Sequence, residues 1–204
     1  MKTMIKNTAI LLAITVIAGF VLGLVYENTK DAIAESKLQA KNAACKEVFQ
    51  DAAEFEVMEN AFAQETVAAF AENGFAAVTV DEVAVAKSAD GEALGYVLTI
   101  TTSEGYAGNI QFTLGIKNDK TVNGISILAT GETPGLGLEA EKVLKPQYAD
   151  KKVDQFIVTK TGATAESEID AISGATITSN AITNGINAGL FYFDTVLEGG
   201  GSNE

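Results

Sequence analysis

The chain has 204 residues and a formal net charge of −13, from 27 acidic and 14 basic residues. Such a negative surface repels phosphate backbones, so we expect no nucleic-acid partner. Histidine is absent and there is one cysteine, which excludes a histidine-ligated metal or haem, a Ser–His–Asp triad, an intramolecular disulfide and a four-cysteine metal site. Any redox chemistry would therefore need an organic cofactor.

The first predicted element is a membrane-spanning helix. Lys2 and Lys6 precede an uncharged apolar run over residues 8–26, and at about 1.5 Å per residue this run matches the hydrocarbon thickness of a bilayer. Residues 1–26 are therefore predicted to be a retained anchor. A cleaved signal peptide is the alternative, with Ala32-Ile33-Ala34 as a weak cleavage site, although the apolar core of a signal peptide is usually shorter.

The charges beside the span give little information about its orientation. Lys2 and Lys6 precede it, whereas Lys30, Lys37 and Lys41 follow it at a similar distance. A long following domain can be translocated regardless of this weak bias. We expect a single-pass protein of the cell membrane, with a cytoplasmic N-terminus and the domain on the extracytoplasmic side.

Two helical segments follow the anchor. Residues 27–53 are predicted to form a helical stalk, in which Cys45 is expected to be a small buried or interfacial hydrophobe. An alanine-rich helix over residues 60–72 comes next, and Asn73-Gly74 is expected to end it.

After Gly74, the period of the apolar residues changes from that of a helix to that of strands. Turn residues separate the strands, at Ala89-Asp90-Gly91, Glu104-Gly105 and Asn118-Asp119. Short turns favour antiparallel pairing of successive strands. The predicted strands cover residues 77–87, 94–103, 110–116 and 121–129.

The remainder of the chain returns to helix, strand and helix. We predict a helix over 138–145 ended by Pro146, a strand over 156–159, a helix over 177–197 and a disordered tail over 198–204. The order of elements predicts an α+β domain with an antiparallel sheet and flanking helices over residues 54–197.

Three glycine-containing stretches are candidates for a function. Gly105-Tyr106-Ala107-Gly108 lies between two strands, where a hairpin turn is the simplest interpretation. In the loop Gly131–Gly137, Pro134 fixes φ and Gly135 supplies the positive φ of a type II turn. Gly137 lacks a Cβ, so its backbone can approach a flat ligand. The loop matches neither a dinucleotide fingerprint nor a Walker sequence.

The third stretch, Asp170-Ala171-Ile172-Ser173-Gly174-Ala175-Thr176, directly precedes the last helix. Its hydroxyls suit a helix cap, and the start of a helix also favours a bound anion. The residues alone leave both interpretations open. Thr178 and Ser179 are expected to cap the helix.

This stretch is similar to the flavinylation pattern of FMN-binding domains, Asp-x-x-Ser/Thr-Gly-Ala-Ser/Thr. The resemblance implies that a flavin transferase links FMN by a phosphoester to the last hydroxyl, here that of Thr176. It also implies that Asp170 serves recognition by the transferase, through a metal held in that enzyme. Ser173, Gly174 and Ala175 would then form the tight approach to Thr176.

The other two stretches resemble further motifs of the same family. Glu132-Thr133-Pro134-Gly135-Leu136-Gly137 is similar to a loop beside the flavin. The resemblance implies that Pro134, Gly135 and Leu136 lie along the ring, with Leu136 in apolar contact. The stretch Gly105-Tyr106-Ala107-Gly108 also resembles a motif of this family, and Tyr106 is its candidate site residue.

The whole chain resembles the G subunits of the Rnf complex, a membrane-bound, ion-translocating ferredoxin–NAD oxidoreductase. This resemblance implies an electron carrier with covalent FMN that is not catalytic alone and has no metal site. Its partners would be other membrane and peripheral subunits of the redox complex, and the flavin transferase during maturation. The span holds no charged residue, so the other subunits would couple electron transfer to ion movement.

Two alternatives remain open at this point. The chain could be the flavin subunit of a sodium-translocating NADH–quinone oxidoreductase or of another membrane flavoprotein. It could also be a non-redox, membrane-anchored binding domain, in which residues 170–176 only begin a helix.

Overall fold

A computed structural model describes residues 1–59 and 64–198 of the chain. The chain divides into two compact units, Met1–Ala40 and Lys41–Glu204. Residues 60–63 of the predicted alanine-rich helix and residues 199–204 of the predicted tail lie outside the described residues.

The first unit consists of helix. Helix α1 covers Lys2–Val48 and contains the predicted span. By length and composition it can cross a membrane. The large apolar side chains of the predicted span, including Phe20 and Leu22, are not covered by protein, with 67% and 70% of their surface exposed. Such a surface suits a lipid environment.

The second unit contains one five-stranded sheet, whose strands follow one another in chain order. Every neighbouring pair is antiparallel, so the predicted α+β class and the pairing of the four predicted strands are confirmed. The first strand was missed because Glu-Phe-Glu-Val is short and half acidic. The strands are β1 (Glu54–Val57), β2 (Val78–Lys87), β3 (Ala93–Gly105), β4 (Gly108–Lys117) and β5 (Val122–Thr130).

Helices and two further short strands complete this unit. The short strands pair in parallel. A π-helix at Phe193–Glu198 continues the last α-helix. The elements are α2 (Gln64–Glu72), a 3₁₀ turn (Gly137–Glu139), α3 (Ala140–Val143), α4 (Lys145–Tyr148), β6 (Ile157–Thr159), β7 (Glu168–Asp170) and α5 (Thr176–Tyr192).

The prediction that Pro146 ends a helix over 138–145 is wrong. Pro146 lies in the first turn of α4. Proline is tolerated there because the N–H groups of a first helical turn have no partner within the helix. The predicted single helix is therefore a succession of three short helical segments.

The end of α1 packs within the second unit. Cys45, Val48 and Phe49 form a small apolar cluster with Ala86 and Val97 on the sheet. Only 5% of Cys45 is exposed, and burial raises the pKa of its thiol. The prediction that Cys45 is a buried hydrophobe is confirmed.

Hydrogen bonds and ion pairs also join the end of α1 to the sheet. The side-chain amide of Asn123 donates to the carbonyl of Val48, and Lys41 pairs with Glu82. These contacts fix the last two turns of the helix against β2 and β5.

Helix α5 lies close against the middle of the sheet because two glycines face it. A Cβ on Gly189 would come within 2.4 Å of Leu114 Cδ2 and 2.9 Å of Ile100 Cδ1. A Cβ on Gly185 would come within 2.8 Å of Phe112 Cζ. The close packing sets the position of the whole helix, including its N-terminus.

We expect Gly189→Ala to lower the free energy of unfolding. Alanine gains about 1 kcal/mol in helix propensity, but overpacking a filled core costs about 1–3 kcal/mol. Urea unfolding of the domain measures the difference. Asn180→Ala, at an exposed position of the same helix, is the control and should change stability by no more than about 0.5 kcal/mol. A Gly189→Ala protein more stable than wild type would contradict this account of the packing.

Candidate functional site

A cavity of about 530 Å³ brings the three glycine-containing motifs together. Four predicted site residues, Pro134, Gly135, Asp170 and Ser173, are not part of its lining. Two lining residues, Ile177 and Thr178, were not predicted as site residues. The lining consists of Tyr106, Glu132, Thr133, Leu136, Gly137, Gly174, Ala175, Thr176, Ile177 and Thr178.

The first wall of the cavity comes from the turn between β3 and β4. Gly105 ends one strand, Gly108 begins the next, and the two residues pair across the hairpin. The hairpin interpretation is therefore confirmed. Tyr106, at the tip, is 72% exposed and lines the cavity, so the turn also supplies an aromatic side chain to the site.

The second wall is the loop after β5. Leu136 N–H donates to the Thr133 carbonyl at 3.1 Å, and Gly135 has a φ of +74°. This combination is the predicted type II turn. The turn brings Leu136, 41% exposed, to the cavity, whereas Pro134 and Gly135 shape the chain behind it.

Gly137 contributes differently from the prediction. A Cβ there would lie 2.4 Å from Glu132 Oε2 and 2.8 Å from Thr178 Oγ1. The missing side chain therefore leaves room for the Glu132 carboxylate, in addition to placing backbone at the cavity wall.

Glu132 is a buried carboxylate, with 5% of its surface exposed. Its Oε1 accepts a hydrogen bond from Ala107 N–H at 3.0 Å. Its Oε2 accepts one from the Thr178 hydroxyl at 2.7 Å. The side chain thus joins the hairpin turn, its own loop and the first turn of α5.

The third wall is the start of α5, where Thr176 is the first helical residue. The prediction that Thr178 and Ser179 cap this helix is wrong. Thr178 donates to Glu132. The Ser179 hydroxyl accepts from Ile172 N–H and donates to the Ala175 carbonyl, both at 3.0 Å.

The helix start consequently keeps donors available. Ala175 occupies the cap position and makes no side-chain capping bond within the described part of the chain. The N–H groups of a first turn have no acceptor inside the helix, and the helix dipole adds partial positive charge there. Thr176 and Ile177, both lining the cavity, therefore lie where an anion is favoured.

Asp170 and Ser173 lie outside the cavity lining. Asp170 ends β7, and the side chain of Gln147 holds its backbone: Asp170 N–H donates to Gln147 Oε1 at 2.7 Å, and Gln147 Nε2 donates to the Asp170 carbonyl at 3.1 Å. Ser173 is exposed. Gly174, with a φ of +77°, turns the chain back towards Leu136 and the cavity.

Comparisons with known proteins give the family. A model of the RnfG N-terminal region matches residues 1–48, and one of the FMN-binding domain matches residues 105–190. The G subunit of the Na(+)-translocating ferredoxin:NAD(+) oxidoreductase complex of Acetobacterium woodii is 35% identical, over 96% of this chain and 94% of that protein. The chain belongs to the family of Rnf complex G subunits. The resemblance found in the sequence is confirmed.

Other relatives agree with this family. The G subunit of the Proton-translocating ferredoxin:NAD(+) oxidoreductase complex of Clostridium ljungdahlii is 30% identical, over 90% of this chain and 88% of that protein. The crystal structure of Shewanella oneidensis NqrC superposes with a TM-score of 0.50 at 19% identity, covering 60% of this chain and 61% of that one. This structural likeness concerns the fold alone.

Family membership indicates a ligand for the cavity and a membrane environment for the N-terminal helix. The match to the FMN-binding domain contains all three cavity walls, which supports FMN as the ligand. The apolar helix α1, together with membership of a family of membrane-complex subunits, supports anchoring in a membrane.

Proposed function

We propose that this protein is the electron-carrier subunit of an Rnf-type complex and that it holds FMN through a phosphoester to the Thr176 hydroxyl. The observation that carries the proposal is the position of Thr176, which lies at the first turn of a helix and on the wall of a cavity. Because the protein would only relay electrons, it is not an enzyme by itself. The other subunits of the complex would be its partners.

The phosphate end of FMN fits the start of α5. A phosphodiester keeps one negative charge, which the dipole and the N–H groups of a helix start stabilise. Ala175 provides no side chain that competes for these donors, as the described residues around it show no capping bond.

The ring end of FMN fits the cavity. Tyr106, Leu136 and Ile177 present aromatic and apolar surface at its walls, as small-molecule sites usually do. The volume of about 530 Å³ lies within the range of such sites, about 300–1,000 Å³. When bound, FMN supplies the electron-transfer chemistry, and this chain supplies binding, orientation and electrostatics.

Asp170 and Ser173 fit a role in maturation better than contact with the ring. Both lie outside the cavity lining, and Ser173 is exposed, so a modifying enzyme can reach this segment. We propose that a flavin transferase recognises Asp170 and the residues that follow it.

We further propose that α1 is a retained anchor with its N-terminus in the cytoplasm, and that the flavin domain over residues 54–197 lies on the extracytoplasmic side. A dissociable FMN at an external site would be lost by dilution. A covalent link avoids this loss and keeps the flavin at high effective concentration near its cavity.

Flavin fluorescence after denaturing electrophoresis tests covalent attachment. We expect a fluorescent band at the mass of the full chain when a flavin transferase is coexpressed, and a dark band when it is omitted. A band that stays dark with an active transferase would contradict the proposal and favour a non-covalent or non-redox binding domain.

Copurification tests the assignment to a complex. We expect the affinity-tagged chain, extracted with detergent from its native membrane, to bring down the other Rnf subunits. Recovery of NADH–quinone oxidoreductase subunits in their place would support the alternative complex.

A further inference from the structure

Glu132 is the common neighbour of all three cavity walls. Ala107 N–H, in the hairpin turn, donates to one carboxylate oxygen at 3.0 Å, and the Thr178 hydroxyl, in the first turn of α5, donates to the other at 2.7 Å. The side chain is 5% exposed and lines the cavity. An acidic side chain is rarely buried to this degree unless it is hydrogen-bonded.

Two glycines, Gly105 and Gly137, lie close to this carboxylate. A Cβ on Gly137 would lie 2.4 Å from Glu132 Oε2. A Cβ on Gly105 would lie 2.3 Å from the Gly108 carbonyl oxygen and 2.9 Å from Glu132 Oε1. These distances are too short for non-bonded contact. The loop at Gly137 is thus shaped around the carboxylate, and the hairpin leaves space for it at Gly105, so its burial is a built feature of the site.

Both carboxylate oxygens of Glu132 have a hydrogen-bond partner. Ala107 N–H can only donate, so Oε1 is an acceptor, and an ionised carboxylate accepts from the Thr178 hydroxyl through Oε2. Hydrogen bonds to an ionised carboxylate are stronger than bonds between neutral groups. Glu132 thus places a carboxylate on the cavity wall, in an environment of reduced dielectric where a charge acts more strongly than in water.

We propose that Glu132 is a positioning residue that ties the three walls of the flavin site together and lowers the reduction potential of the flavin through its charge. The inference rests on the proposed function, since it concerns FMN in this cavity. A nearby negative charge disfavours the addition of electrons to the bound cofactor. The same side chain sets the geometry of the Tyr106 turn and of the helix start at Thr176.

Glu132→Gln separates the charge from the geometry. Glutamine keeps an acceptor for Ala107 N–H, and its NH₂ group can donate to the Thr178 hydroxyl, which then accepts. Glu132→Ala removes both oxygens, so Ala107 N–H and the Thr178 hydroxyl lose their hydrogen-bond partner. Glu139→Gln is the matched control, because it removes one negative charge from the adjoining segment, where Glu139 lies near Lys142 and not at the cavity.

The first measurement is the flavin reduction potential of the full chain, by spectroelectrochemical titration after coexpression with the transferase. We expect Glu132→Gln to make the potential less negative, and Glu139→Gln to leave it close to that of wild type because solvent screens that charge. An unchanged potential in Glu132→Gln would overturn the role of the charge.

The second measurement needs no flavin. In full chain made without the transferase, we expect the amide of Ala107 to exchange with solvent about tenfold faster in Glu132→Ala than in wild type, and Glu132→Gln to restore slow exchange. Equal exchange in Glu132→Ala and wild type would overturn the positioning role. If wild-type protein takes up no flavin, the proposed function fails, and this exchange experiment still decides the role of Glu132 in the fold.

Discussion

Thr176→Val removes covalently bound flavin from the protein, since valine keeps the shape of threonine but has no hydroxyl to form a phosphoester. We expect the fluorescent band on a denaturing gel to disappear. The fold should persist, because Thr176 is only partly buried and its side chain is not part of the apolar core. Circular dichroism and thermal unfolding of the purified variant measure that persistence.

Two further variants make this result specific. Thr176→Ser keeps a hydroxyl at the same position and should retain the flavin. Thr178→Val removes a hydroxyl two residues later, and we expect it to lower stability because it leaves Glu132 Oε2 without its donor, while attachment at Thr176 remains possible. Covalent flavin in Thr176→Val together with its loss in Thr178→Val would show that the attachment site is wrong.

Gly137→Ala should place a methyl group in the space that the Glu132 carboxylate occupies at the cavity wall. The added Cβ would meet Glu132 Oε2 at 2.4 Å, Glu132 Cβ at 2.7 Å and Thr178 Oγ1 at 2.8 Å, so the buried carboxylate must move. Overpacking of this kind costs about 1–3 kcal/mol. We expect a lower free energy of unfolding, measured in urea, and a clear loss of flavin fluorescence.

Gly131→Ala is the matched control for Gly137→Ala. A Cβ at Gly131 would meet only the Ala107 carbonyl oxygen, at an ordinary 3.4 Å. We expect wild-type flavin content and a change in stability within about 0.5 kcal/mol. Equal flavin content in both variants would contradict the view that Gly137 makes room for Glu132.

The sequence predicts the sheet well because its strands carry strong local signals. Residues 94–103 and 110–116 are rich in β-branched and apolar residues and are bounded by turn residues. The structure extends each strand by a few residues. The strand β7, Glu168–Asp170, has one apolar residue, so its local pattern predicts neither the strand nor its parallel pairing with β6.

The helix start shows why tertiary partners limit such predictions. Thr178 has the usual chemistry of a cap, but its hydroxyl bonds to Glu132, 46 residues earlier in the chain. Glu132 in turn binds Ala107, 25 residues before it. A buried carboxylate needs donors more than an exposed helix end does, and this competition is visible only once the chain is folded.

The motif resemblance selects residues that the structure brings to one cavity, and their role in binding stays a prediction. Tyr106, Glu132, Leu136, Gly174 and Thr176 belong to separate motifs, and all of them line one cavity. The residues missed, Ile177 and Thr178, directly follow Thr176, so their position in the first turn of a helix beside a ligand is the signal that could have indicated them.

Peptide mass spectrometry tests the central claim most directly. Lys160 is the last basic residue, so trypsin releases residues 161–204 as one peptide from protein coexpressed with the transferase. We predict that this peptide carries one FMN linked through its phosphate, and that fragmentation locates the added mass on Thr176. An unmodified peptide, or an FMN located on Ser173, Thr178 or Ser179, would contradict the account.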